Sequence, residues 1–107
     1  MAVPDFQSLM LPLLRYAETK NAEINTLQAV AALATQLNLT DAELKEMLPS
    51  GLQGTFTNRV GWSATYMKKA GLLESTRRGY YRITQRGKEL LSEKPTIINI
   101  KLLERYP

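Results

Sequence analysis

Apolar side chains return at three- and four-residue intervals over most of this chain, the spacing of helices that bury one face. Phe6, Leu9, Met10, Leu13, Leu14 and Ala17 mark a first helix over residues 5 to 18. Pro4 suits its first turn and Asp5 the positive end of its dipole. Pro12 conflicts with that reading, because it has no N–H for the carbonyl of Ser8 and its ring crowds the preceding turn. The pattern therefore predicts a kink at Pro12, or a shorter helix beginning near it. "NAEIN", residues 21 to 25, is short and extended, with a minimal strand over 23 to 25. A second helix over 26 to 38 would turn Leu27, Val30, Leu33, Ala34 and Leu37 inward. In "NLTDAELKEML", Thr40 with Glu43 three residues on is a capping box that starts a third helix, which ends before Pro49. "PSGLQG" is a loop by its Pro, Ser and Gly content.

The helical spacing resumes over residues 56 to 70, with Phe56, Val60, Ala64 and Met67 on one stripe and Gly71 where a C-terminal stop belongs. "LLEST", "TRRG" and "YYRI" then read as strand, turn and strand, a wing over 73 to 83. Arg77 and Arg78 fall in the middle of the turn, and Tyr80 and Tyr81 on opposite faces of the second strand. Thr84 caps a helix "QRGKELLSE" that runs through Glu93, and after Pro95 "TIINIKLLERY" holds a short last helix whose apolar side packs on the body. There are no repeats. The expected architecture is a single domain over residues 1–107, mainly α with a small β-hairpin wing. A long amphipathic helix followed by a basic hairpin is the outline of a winged helix-turn-helix.

Charge sharpens that outline. Residues 1 to 50 hold three basic and six acidic side chains, residues 59 to 88 hold eight basic ones and only Glu74, and residues 89 to 107 hold three of each. A basic block of this kind points to a polyanion partner; the plainer reading is a solvated face kept for solubility. The chain contains no cysteine and no histidine, which removes disulfides, thiolate metal sites, cysteine nucleophiles and the commonest general base. "LMLPLL" is far shorter than the roughly 18 apolar residues of a membrane span. A cytoplasmic location is expected.

If Val60, Ala64 and Met67 face inward, the opposite side of the 56–70 helix carries Asn58, Gly61, Trp62, Thr65 and Lys69, with Lys68 at its edge. Asn58 and Thr65 could read base edges, while Arg59, Lys68 and Lys69 suit phosphates. Arg77, Arg78 and Arg82 would add the wing. Folding would then gather like charges from two elements on one face, their repulsion offset when a polyphosphate releases its counterions. Duller readings stand beside these. Trp62 and Tyr66, four apart, suit packing better than base stacking, the two lysines could simply charge a helix end, and Arg86 and Lys88 suit a solvated helix start.

"MAVPDFQSLMLPLLR", "LLPSG"-like "MLPSG", "NRVGWSATYMKKAGLLESTRRGYYRITQRGKELL" and "KLLERYP" together resemble the N-terminal domain of Mrr-type restriction proteins, over essentially the whole chain. The resemblance implies a winged-helix DNA-binding domain of a type IV restriction system, which attacks modified, usually methylated, DNA. Family members join this domain to a C-terminal nuclease of the PD-(D/E)xK type, whose chemistry needs acidic residues and a lysine around a magnesium ion. Asp5 and Asp41 are the only aspartates here, and "ELK", Glu43 to Lys45, fits the short pattern by chance. The chain is accordingly expected to be non-catalytic, to need no cofactor and to have double-stranded DNA and the family's nuclease domain as partners, with a homodimer left open. The competing expectation is a protein-interaction winged helix that docks an acidic partner or the nuclease domain.

Overall fold

The structure is a computed structural model that describes residues 3–106; Met1, Ala2 and Pro107, at the outer ends of the first and last stretches quoted above, lie outside the described residues. Its first helix, α1 (Phe6–Lys20), opens on Asp5, whose carboxylate accepts the Ser8 N–H at 2.8 Å. It closes on Asn21, a left-handed residue at φ 48° whose N–H reaches the Ala17 carbonyl. The helix neither begins nor stops at Pro12, so the expectation of a shorter helix is corrected. Leu9, Met10, Leu11, Leu13, Leu14 and Ala17 are all buried around that proline. At about 1.5–3 kcal/mol for each large side chain, their burial exceeds the roughly 3 kcal/mol that an interior proline costs.

β1 (Ile24–Asn25) leads directly into α2 (Thr26–Gln36), where Asn25 and Gln28 form a reciprocal capping box. Ala29 and Leu33 are buried in α2, with Val30, Ala34 and Leu37 partly so. Leu27 departs from the expected face and is 72% exposed. As the second residue of the helix it stands at the rim, where the stripe through Ala29 and Leu33 has already turned away from it. α3 (Asp41–Lys45) is a short helix with the Thr40–Glu43 box in place. The loop after it is held by a bridge between Met47 and Gly54.

α4 (Thr55–Lys69) packs on α1 through Phe56, Val60, Ala64 and Met67, the stripe read from the sequence. Ser63 lies in the same interface and donates to the carbonyl of Phe6. Gly71 ends the helix at φ 79°, a left-handed conformation that side chains with a Cβ rarely adopt. β2 (Leu73–Arg77) and β3 (Tyr80–Ile83) form the hairpin. β3 occupies the middle of a three-stranded antiparallel sheet in the order β1-β3-β2, pairing Ile24 with Tyr81 on one side and Leu73 with Ile83 on the other. The ladder is irregular between Ser75 and Arg77, and Arg77 pairs with Tyr80. Arg77 thus ends a strand rather than sitting mid-turn, and Arg78 and Gly79 make the reversal.

α5 (Gln85–Ser92) is capped by Thr84 and lies against the sheet at Gly87. A Cβ there would stand 2.5 Å from the Leu72 carbonyl oxygen and 2.7 Å from Ile83. α6 (Ile100–Leu103) buries Leu103. The result is a mainly α fold with a hairpin wing, as the sequence pattern predicts.

Candidate nucleic-acid interface

The outer face of α4 lines an open groove of about 350 Å³ formed by Asn58, Gly61, Trp62, Thr65 and Lys68, joined by Gln53 from the preceding loop and Thr26 from the start of α2. Every residue of the first set lies on or at the edge of the face that the helical spacing turns outward. Gln53 and Thr26 are outside that pattern. Gln53 is brought in by the Met47–Gly54 bridge, and Thr26 by the pairing of β1 with β3; neither contact leaves a periodic trace in the sequence. Asn58 donates from its amide nitrogen to Gln53 Oε1 at 3.0 Å, which leaves its own oxygen and second N–H open. Thr65 donates to the Gly61 carbonyl at 3.0 Å, so its hydroxyl oxygen keeps accepting capacity.

Trp62 is 49% exposed, its ring 6.2 Å from that of Tyr66, while Tyr66 stacks on Phe6 at 5.1 Å. Tyr66 is the packing residue of the pair, and Trp62 forms the ridge between two grooves. The second groove, lined by Phe6, Leu48, Asn58, Arg59, Trp62 and Tyr66, contains Arg59. Its guanidinium donates to the carbonyls of Val3 and Pro4, at 2.6 and 3.3 Å. Arg59 therefore ties the approach to α1 onto α4, on the other side of Trp62 from Thr65 and Lys68.

The two lysines diverge. Lys68 Nζ lies 4.8 Å from the centre of the Tyr81 ring, toward the sheet. Lys69 lies 5.9 Å from Tyr66 and lines a separate cleft with Ala70, Ile100, Leu103 and Tyr106. In the wing, Arg77 stacks over Tyr80 at 3.8 Å and pairs with Glu23 at 2.9 Å. The Thr76 hydroxyl also donates to Glu23, and together with Arg77 it holds that carboxyl below the usual range. Arg82 pairs with Glu74 at 2.8 Å. Arg78 is exposed, and among the described residues no carboxylate pairs with it. Arg86 is exposed, as expected of a helix start, but it is also engaged. It donates to the Ala70 carbonyl at 2.8 Å, closing the end of α4, and faces the Tyr106 ring at 5.0 Å.

Beneath Lys68, Tyr81 is 1% exposed and its hydroxyl has no hydrogen-bond partner. Burial pushes that hydroxyl above its ordinary range, and the Thr26 side chain beside it works the other way. Among the described residues, no group of three or more His, Cys, Asp or Glu side chains could hold a metal ion. No described helix is long and apolar enough to cross a membrane.

The family model for the Mrr N-terminal domain matches residues 6–93. A curated relative, the type IV methyl-directed restriction enzyme EcoKMrr of Escherichia coli (strain K12), is 33% identical over 95 residues. That match covers 89% of this chain and 31% of the relative, so the chain spans about a third of the protein it resembles. No solved structure matches the chain. A match that runs from the first turn of α1 to the end of α5 takes in the sheet, the wing and the α4 groove together, and on it the chain belongs to the Mrr N-terminal domain family.

Proposed function

We propose that this chain is a single, non-catalytic domain that binds double-stranded DNA, with α4 in the major groove and the β2–β3 wing along the backbone. The observation that carries the reading is the open groove on α4 in which Asn58, Thr65 and Lys68 lie together, in a fold whose hairpin is tipped by Arg78. Asn58 and Thr65 present donors and acceptors to base edges, and Lys68 and Arg78 present charge to phosphates. Arg77 and Arg82 already have carboxylate partners, but exposed pairs are worth less than about 1 kcal/mol. A phosphate could replace either carboxylate at little cost. Arg59 and Lys69 point elsewhere and are left out of the contact set.

The name of the relative attaches methyl-directed restriction to that protein. By extension, this domain serves to bring a restriction nuclease to modified DNA, and the chain itself cuts nothing. The test compares affinity for matched methylated and unmethylated duplexes, with Asn58→Ala and Thr65→Ala alongside. Preference among duplexes should fall in both variants more than overall affinity. Equal weakening on every duplex would move both residues to backbone contact.

A second reading, docking of a protein partner, is favoured by one observation: Met47 and Leu52 before α4 and Trp62 on it are large apolar side chains left 50, 88 and 49% exposed. Duplex binding that falls with salt supports the first reading; its absence supports the second.

A further inference from the structure

Gly71 and Gly87 lack a side chain for reasons inside the protein: one has a left-handed φ, and at the other a Cβ would meet backbone at 2.5 Å. Gly61 has neither reason. It stands near the middle of α4, outside the positive-φ positions, and a Cβ there would meet nothing within 4 Å beyond the helix itself. A glycine inside a helix lowers stability relative to alanine, because more backbone freedom is lost and no side chain packs in return. α4 carries that penalty on the face that lines the open groove. A gap that nothing within the protein requires is what a close approach from outside needs.

The surroundings of the gap indicate what approaches. Asn58 and Thr65 stand one turn to either side of Gly61, and Trp62 is next to it with 49% of its surface exposed. Lys68 lines the same groove, and no carboxylate does. Asn58 is held by Gln53 with its oxygen and second N–H open, and the Thr65 hydroxyl is turned onto the Gly61 carbonyl. Open amide groups match the major-groove edge of a base, and an exposed indole beside them suits an apolar group on that edge. We propose that Gly61 and Trp62 determine specificity in this groove: the space over Gly61 admits the edge of one modified base, whose methyl group packs on the Trp62 indole. The proposal rests on the DNA-binding reading above and adds the residues that distinguish a methylated base from an unmethylated one. C5-methylcytosine and N6-methyladenine both carry their methyl group on the major-groove edge, so the methyl is the chemistry they share.

Gly61→Ala separates this role from a structural one, because folding and recognition move in opposite directions. The added methyl group favours the helix and meets no neighbour, so the thermal midpoint should rise by about 4 °C. It also fills the space that the base methyl would take. Binding is measured on pools of duplexes with randomised flanks around one central C5-methylcytosine or N6-methyladenine, each beside its unmethylated match. Burial of one methyl group predicts that the parent prefers one methylated pool about fourfold, and the pool preferred identifies the base. In Gly61→Ala and in Trp62→Ala that ratio should fall to about one, while Trp62→Phe keeps an apolar ring and a ratio above about two. A parent that binds duplex DNA without preferring either methylated pool, or a Gly61→Ala variant that keeps the parent's ratio, overturns the methyl site while DNA binding stands. A lower thermal midpoint for Gly61→Ala also overturns it, by assigning the glycine to the fold. A parent that binds no duplex overturns both.

Discussion

A tyrosine hydroxyl buried without a partner costs about 1–3 kcal/mol in lost hydration. Tyr81 carries that cost at the centre of the sheet, under the ammonium of Lys68. Replacing it with Phe keeps the ring and the cation over it, so thermal denaturation near neutral pH should show the variant at least as stable as the parent. A difference in pH dependence should accompany this. The hydroxyl titrates above its ordinary value of about 10 in the folded protein, because burial opposes the anion. The unfolded chain therefore loses this proton first as pH rises. Its contribution to stability is present below about pH 10 and declines above it, and Tyr81→Phe should lack that part of the alkaline decline. Arg59 makes the complementary case. Arg59→Ala leaves the carbonyls of Val3 and Pro4 without their donor and should destabilise by roughly 1–3 kcal/mol, while the salt dependence of duplex binding stays as in the parent. A shallower salt slope with unchanged stability would return Arg59 to the DNA contacts.

Among the elements, the wing and α5 differ in what holds them. α5 is fixed by close approach at Gly87, and Gly87→Ala should cost about 1–3 kcal/mol in a denaturation experiment because the new Cβ meets backbone at 2.5 Å. The wing tip is held by little. Arg78→Ala should change stability by less than about 0.5 kcal/mol and flatten the plot of log affinity against log salt by roughly 0.9. An unchanged slope would take the wing off the DNA. α4 was legible in the sequence because its buried stripe and its polar face each repeat at helical spacing, and the caps at Thr40 and Thr84 because their partners lie within one turn. Leu27 was misassigned because a helical wheel does not register that a first-turn residue stands at the rim of the core. The commitments of Arg59 to Val3, Arg77 to Glu23 and Arg86 to Ala70 were invisible because they join positions far apart in the chain or on different elements. Spacing finds which residues share a face. It does not find which cations are already in use.

For the molecule as a whole, the basic excess of residues 59 to 88 divides by what each cation already holds. Arg59 and Arg86 fasten helix ends and chain approach, and Arg77 and Arg82 are paired at the surface. Lys68, Lys69, Arg78 and Lys88 answer to no carboxylate among the described residues, and of these Lys68 lines the polar face of α4 and Arg78 stands at the turn of the wing. The most direct measurement is therefore the affinity of the chain for duplex DNA over a series of salt concentrations. Contacts from Lys68 and Arg78 predict a slope of log affinity against log salt of about −1.8, steepening toward about −3.6 if Arg77 and Arg82 exchange their carboxylates for phosphates. Binding that does not change with salt, or no binding to duplex at low salt, would contradict it.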